Sequence, residues 1–153
     1  MAGIANSNGG MLTSRFKVLQ ISKFYWPHIG GIEKVVQDIA EGLNDKCDME
    51  VLTCQLKGKG SKQLINGVKV TKASSLGICL SVPISFTFPF LLAKKSRRVD
   101  ILHFHMPFPL ADLSYLMFGP RNKKIVVTYH SDIVKQKKHE GLQTFFVSFF
   151  GTS

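Results

Sequence analysis

Apolar residues in this chain come in short runs separated by glycine, proline and charge, and the runs alternate between the period of a strand and the period of a helix. Residues 18–22 (VLQIS) form a short apolar run of the kind that is buried on both faces of a parallel sheet. From Ile32 the period changes, and Ile32, Val35, Val36, Ile39, Ala40 and Leu43 fall on one face of a helix. Between the two lies a loop with Tyr25, Trp26, Pro27 and His28, closed by Gly30 and Gly31. Strand, glycine-bearing loop and amphipathic helix in immediate succession make the unit from which nucleotide-handling sheets are built.

The pattern continues along the chain. Residues 49–54 (MEVLTC) predict a second strand, in the order expected of a right-handed crossover. The polar, glycine-rich residues 55–67 (QLKGKGSKQLING) predict a loop, and residues 68–72 an alternating strand. Residues 74–93 carry no charge, yet serine, threonine, proline and glycine dilute their hydrophobicity below that of a membrane span. They predict a loop and then a buried helix from about Pro83, kinked or restarted at Pro89 and ending in the basic residues 94–98 (KKSRR). Residues 100–105 (DILHFH) predict a strand, Leu110 begins a helix that Gly119 and Pro120 stop, and residues 124–129 (KIVVTY) predict the clearest strand, with His130, Ser131 and Asp132 at its end. The final residues 141–153 (GLQTFFVSFFGTS) predict the start of an amphipathic or buried helix. Alternating strands and helices without hairpin signals predict a parallel, doubly wound α/β sheet. Ligands of such sheets bind beyond the carboxyl ends of the strands, where Gly30, Gly31, His105 and His130 all fall.

At 153 residues and 44% hydrophobic composition the chain suits one globular domain. Residues 1–15 lack an apolar run of signal-peptide length and predict a flexible leader to a domain of residues 16–153. Cys47, Cys54 and Cys79 match neither a disulfide framework nor a zinc spacing, which predicts buried free thiols in a reducing cytosol. The net charge of +10, concentrated at residues 57–62, 94–98, 121–124 and 135–138, suits nucleotide phosphates or acidic lipid headgroups. Without an aromatic-interleaved basic stripe, nucleic acid is the weakest of the anionic partners.

Two features carry candidate chemistry. Gly30 and Gly31 at a helix entrance serve either a tight turn or a loop that lets an anion approach unpaired N–H groups. His103 and His105 point to one face of their strand, and with His130 they supply the ligand types of a zinc site. No partner carboxylate or HExxH spacing supports that zinc hydrolase reading.

The segments KVLQIS followed by GGIEKVVQDIAEGL, then DILHFHMP, then VVTYHSDIVKQK, resemble the N-terminal domain of GT-B retaining glycosyltransferases over residues 17–138. That resemblance implies a Rossmann-like domain, the acceptor-side half of a two-domain enzyme that moves a sugar from a nucleotide donor, such as a UDP- or GDP-sugar, to a glycan or lipid-linked acceptor. It implies that Gly30 and Gly31 approach the donor diphosphate and that Glu33 orients acceptor or phosphates. His130 becomes the candidate catalytic residue, contacting the transferred sugar, with His105 and Lys135 as further substrate contacts; no metal or separate cofactor is implied. The family's Glu-x7-Glu pair belongs to its second domain. Glu33 and Glu41 share that spacing but lie on the first helix, so their match is coincidental. By resemblance the chain alone is inactive, cytoplasmic and in peripheral contact with an anionic membrane. The competing reading is a non-catalytic module that binds anions or lipid surfaces.

Overall fold

The computed structural model describes residues 15–130 and 144–149. In chain order these form β1 (Lys17–Ile21), α1 (Gly31–Leu43), β2 (Asp48–Cys54), β3 (Ser61–Ile65), β4 (Val68–Ala73), β5 (Gly77–Cys79), β6 (Val82–Ile84), α2 (Phe88–Ser96), β7 (Ile101–Met106), α3 (Pro109–Phe118), β8 (Lys124–His130) and β9 (Thr144–Phe149). The predicted leader falls almost wholly outside the described residues.

Seven strands make one sheet in the order β3-β4-β2-β1-β7-β8-β9. The five inner strands are parallel. Ranked by their place in the chain they run third, second, first, fourth and fifth, so the winding direction reverses between β1 and β7. That is the Rossmann-like order, with its ligand crevice at the reversal point, and the predicted doubly wound α/β class holds.

Alternation along the strands builds a core on each face of the sheet. Leu19 and Ile21 of β1 join Leu52, Leu102 and Phe104, and Phe88 and Leu92 of α2 with Phe108 and Ala111 cover them. Val18, on the other face, joins Met49, Val51, Val68 and Val70 under Val36 and Ala40 of α1. The second face is less uniform, because Gln20, His103, His105, Thr128 and His130 are also buried.

The edges differ from the expectation. β3 pairs antiparallel with β4 through a two-residue loop at Asn66 and Gly67, both with positive φ. Residues 55–67 are therefore not all loop, and the chain does contain hairpins. The Asn-Gly pair suits a primed turn, but β3 is a largely exposed edge strand with no apolar face to announce it. A second hairpin, β5 with β6, turns at Leu80 and Ser81, again at positive φ, so Pro83 lies in a strand. The helix predicted there begins at Phe88, whose N–H donates to Ser85 Oγ at 3.1 Å. Pro89 occupies its first turn, where a missing N–H costs nothing, and so opens α2 instead of kinking it. Lys94 and Lys95 lie in its last turn as predicted, and Lys123 Nζ donates to Arg97 O at 3.3 Å and Val99 O at 2.7 Å just beyond.

Two further expectations are corrected. The C-terminal segment forms strand β9, antiparallel to β8 with Val127 opposite Val147, where a helix was predicted; its TFFVSF sequence is rich in residues that favour strands. Of the cysteines only Cys54 is buried, while Cys47 is half-buried and Cys79 exposed on the short hairpin. No helix among the described residues is long and apolar enough to cross a membrane.

The core assignment predicts that Leu19→Ala, at a fully buried position, costs about 2–5 kcal/mol in urea unfolding. Leu116→Ser, at a position 75% exposed, changes stability by no more than about 0.5 kcal/mol.

Candidate functional site

The loop after β1 delivers the N-terminus of α1 to the carboxyl edge of the sheet. Gly30 is the N-cap, with φ −145° and ψ 173°, and no side chain caps the first turn. This is ordinary extended backbone, so neither turn strain nor left-handed geometry explains the glycine. A Cβ on Gly30 would meet only the movable end of the Glu33 side chain, whose carboxylate folds back over the helix entrance, so space does not demand glycine either. Around Gly31 a Cβ would meet nothing within 4 Å, so the backbone there is open to an incoming group. The first-turn N–H groups and the helix dipole favour a negative charge, and Glu33 already supplies one.

Facing α1 from the sheet is a buried row of polar side chains. His105 Nδ1 lies 3.1 Å from His130 Nε2, with the two rings stacked at 5.4 Å. On its other side His105 Nε2 meets the Gln20 amide at 3.0 Å. That amide also reaches α1, and with its nitrogen toward Val36 O and its oxygen toward the Ala40 N–H it bonds both at 3.2 Å. His103 Nε2 is bonded to Thr128 Oγ1 at 2.7 Å. Among the described residues the buried His130 Nδ1 has no partner.

Burial sets the charge state of this row. Desolvation pulls the His105 pKa down to about 2, with the neighbouring His103 and His130 adding to the effect. Desolvation, then His130, pulls His103 down to about 4. His130 is also lowered by burial, but the Glu33 carboxylate acts in the opposite direction. The α1 entrance, which follows β1, and the end of β8 both lie at the carboxyl edge of the sheet. The set therefore consists of neutral hydrogen-bonding imidazoles next to one carboxylate. Both nitrogens of His105 are engaged, which denies it to a metal, and among the described residues no three metal-ligating side chains stand together.

Of the predicted residues, Gly30, Gly31 and Glu33 at the α1 entrance and His105 and His130 in β7 and at the end of β8 fall at the carboxyl edge beside the reversal point, whereas Lys135 lies outside the described residues. Three contributors went unnoticed in the sequence. Gln20 sits in an apolar strand, and its polar side chain between Leu19 and Ile21 was the available signal. Thr128 was likewise read as plain strand. Lys72, only 6% exposed, donates from Nζ to Trp26 O at 2.7 Å and so holds the β1–α1 loop; burial lowers its pKa. No local signal marks that role.

Residues 29–150 match the model of the family described as Glycosyltransferase Family 4. Among curated proteins, O-antigen chain mannosyltransferase C of Escherichia coli is 32% identical over 124 residues, which cover 80% of this chain and 33% of that protein. D-rhamnosyltransferase WbpZ of Pseudomonas aeruginosa is 32% identical over 129 residues, 79% of this chain and 32% of that protein. The chain thus spans about a third of the length of the curated relatives it matches.

The neutral buried histidines have a sign-definite consequence. Their folded pKa values lie below the unfolded value of about 6.5, so as pH falls the unfolded chain takes up protons first. Stability present above about pH 6.5 is lost as pH falls from there toward 4 for His103 and toward 2 for His105. Each histidine contributes a slope approaching about 1.4 kcal/mol per pH unit. His105→Asn removes one such share between about pH 6 and pH 4 in pH-dependent urea unfolding, and an unchanged slope would contradict a neutral His105.

Proposed function

Because the chain belongs to glycosyltransferase family 4, we propose that it forms the acceptor-side half of an enzyme that transfers a sugar, with retention, from a nucleotide sugar to a glycan or lipid-linked acceptor. The observation that carries the site assignment is the convergence of the α1 entrance, Glu33 and the His105–His130 pair at the reversal point of the sheet. In the proposed reaction the bond from the anomeric carbon to the departing diphosphate breaks, an acceptor oxygen takes its place on the same face, and the acceptor's hydroxyl proton passes to the departing diphosphate. Charge builds on the phosphates as they leave. Preorganised N–H groups aimed at such charge act without reorganisation, and the open backbone at Gly31 offers them. His130 then bonds a hydroxyl of the transferred sugar, Glu33 orients acceptor or phosphates, and Lys135 is a substrate contact by resemblance alone. The nucleoside would be held by protein beyond these residues, so the chain alone binds donor without turnover.

His130→Ala tests the assignment in calorimetric titrations of the chain with UDP- and GDP-sugars. Losing one neutral hydrogen bond, about 0.5–1.5 kcal/mol, weakens nucleotide-sugar binding by roughly 2–12-fold, while binding of UDP or GDP alone is unchanged. An equal loss for both would remove His130 from the sugar.

One observation favours peripheral attachment to an anionic membrane. Lys94, Arg97 and Arg98 line a hollow of about 640 Å³ together with Phe90, Met117 and Phe118, and all three apolar side chains are exposed. At about 1 kcal/mol per basic side chain, replacing the three cations with alanine reduces sedimentation with phosphatidylserine vesicles roughly a hundredfold. Wild-type binding should fall as salt rises, and salt-independent binding would refute an electrostatic attachment.

A further inference from the structure

We propose that Gln20 sets the tautomer of His130, leaving the His130 proton on Nδ1 so that the ring acts as a hydrogen-bond donor to ligand and not as a base. The argument starts at the backbone of α1. Val36 O can only accept and the Ala40 N–H can only donate, and the Gln20 amide meets both at 3.2 Å. Satisfying them requires the amide nitrogen at Val36 and the amide oxygen at Ala40. The second hydrogen of that nitrogen then points to His105 Nε2 at 3.0 Å. Turned over, the amide would set its oxygen against a carbonyl and its nitrogen against an N–H. That leaves two buried groups facing their own kind, an arrangement folded proteins avoid.

The rest follows by proton counting. His105 Nε2 accepts from Gln20, so a neutral His105 carries its proton on Nδ1. Nδ1 lies 3.1 Å from His130 Nε2 and donates to it. His130 Nε2 is thus an acceptor, and a neutral His130 holds its proton on Nδ1. That atom is buried and has no partner among the described residues. The chain of donors therefore begins on a helix backbone and ends on one N–H for which the described residues supply no acceptor. With Nε2 committed and Nδ1 protonated, the ring has no spare lone pair with which to remove a proton.

Gln20 touches neither donor nor acceptor in this scheme and is a positioning residue. What the reserved N–H binds, a sugar hydroxyl or another oxygen acceptor, rests on the sugar-transfer reading above; the tautomer does not.

The test uses the full chain labelled with 15N at histidine and long-range 1H–15N correlation spectra, with signals assigned through His105→Asn and His130→Ala. The expected wild-type spectrum shows His130 with a pyrrole-type Nδ1 and a pyridine-type Nε2, and His105 likewise. A proton on His130 Nε2 would overturn the proposal without any variant. Gln20→Glu replaces the donating nitrogen with an acceptor, and both histidines should then reverse to Nε2–H; a folded variant that keeps the wild-type pattern would also overturn it. Adding GDP-mannose or UDP-glucose should shift the Nδ1 signal. An Nδ1–H that is present but moved by neither compound upholds the relay and counts against sugar binding at His130.

Discussion

The contact on which the rest of the site depends is the buried amide of Gln20, wedged between the sheet and the backbone of α1. It bonds Val36 O and the Ala40 N–H, the pair that a regular helix would join to each other. An unpaired buried amide costs about 1–3 kcal/mol, so α1 cannot shift along the sheet without exposing that penalty at Gln20 and again at His105. A helix free to slide by one turn would move about 5.4 Å. The amide instead fixes the height of α1, and with it the separation between the Gly30–Glu33 entrance and His130. The geometry of the crevice is set from underneath, by a residue that lines none of it.

This division of labour follows from the doubly wound architecture. The face covered by α2 and α3 is filled by Leu19, Ile21, Leu52, Phe88, Leu92, Leu102 and Phe104. It carries apolar burial, which at about 25 cal/mol per Å² is the dominant stabilising term. The face under α1 gives up apolar volume at Gln20, His103, His105 and Thr128. Replacing hydrophobic packing by a polar row is tolerable only where nearly every member finds a partner. Here the row closes along Gln20, His105 and His130 and along His103 and Thr128, and the unmatched atom lies at its outer end. One face of the sheet thus holds the fold together while the other organises hydrogen bonds.

How much of this the sequence disclosed depended on whether a residue's role was local or set by strand order. The inner strands and α1 were legible because buried runs such as VLQI and the spacing of Val36 and Ala40 reflect local periodicity. Strand ends placed His105 and His130 correctly for the same reason. The edges were less legible: β3 reads as polar loop because it is largely exposed, and its one signal, the Asn66–Gly67 pair, went unread. The turn at Leu80 and Ser81 has no such signature, since neither residue favours positive φ. Gln20 lies 85 residues from His105, and no local pattern can pair two side chains that meet only once β1 and β7 are neighbours.

The glycine pair illustrates how geometry changes the meaning of a motif. Unusual backbone dihedrals were the first reason for glycine there, yet Gly30 is plainly extended. The Glu33 carboxylate lies where a Cβ on Gly30 would project, and at Gly31 the backbone is uncovered. Because Glu33 already neutralises the positive end of α1, a phosphate arriving at the same entrance meets like charge. It can gain the helix N–H groups only by approaching from the open side at Gly31 or by displacing Glu33. A neutral hydroxyl faces no such conflict, since it can donate to the carboxylate. For the nucleotide sugar of the proposed function, hydroxyl and phosphate would thus each meet their own side of the entrance.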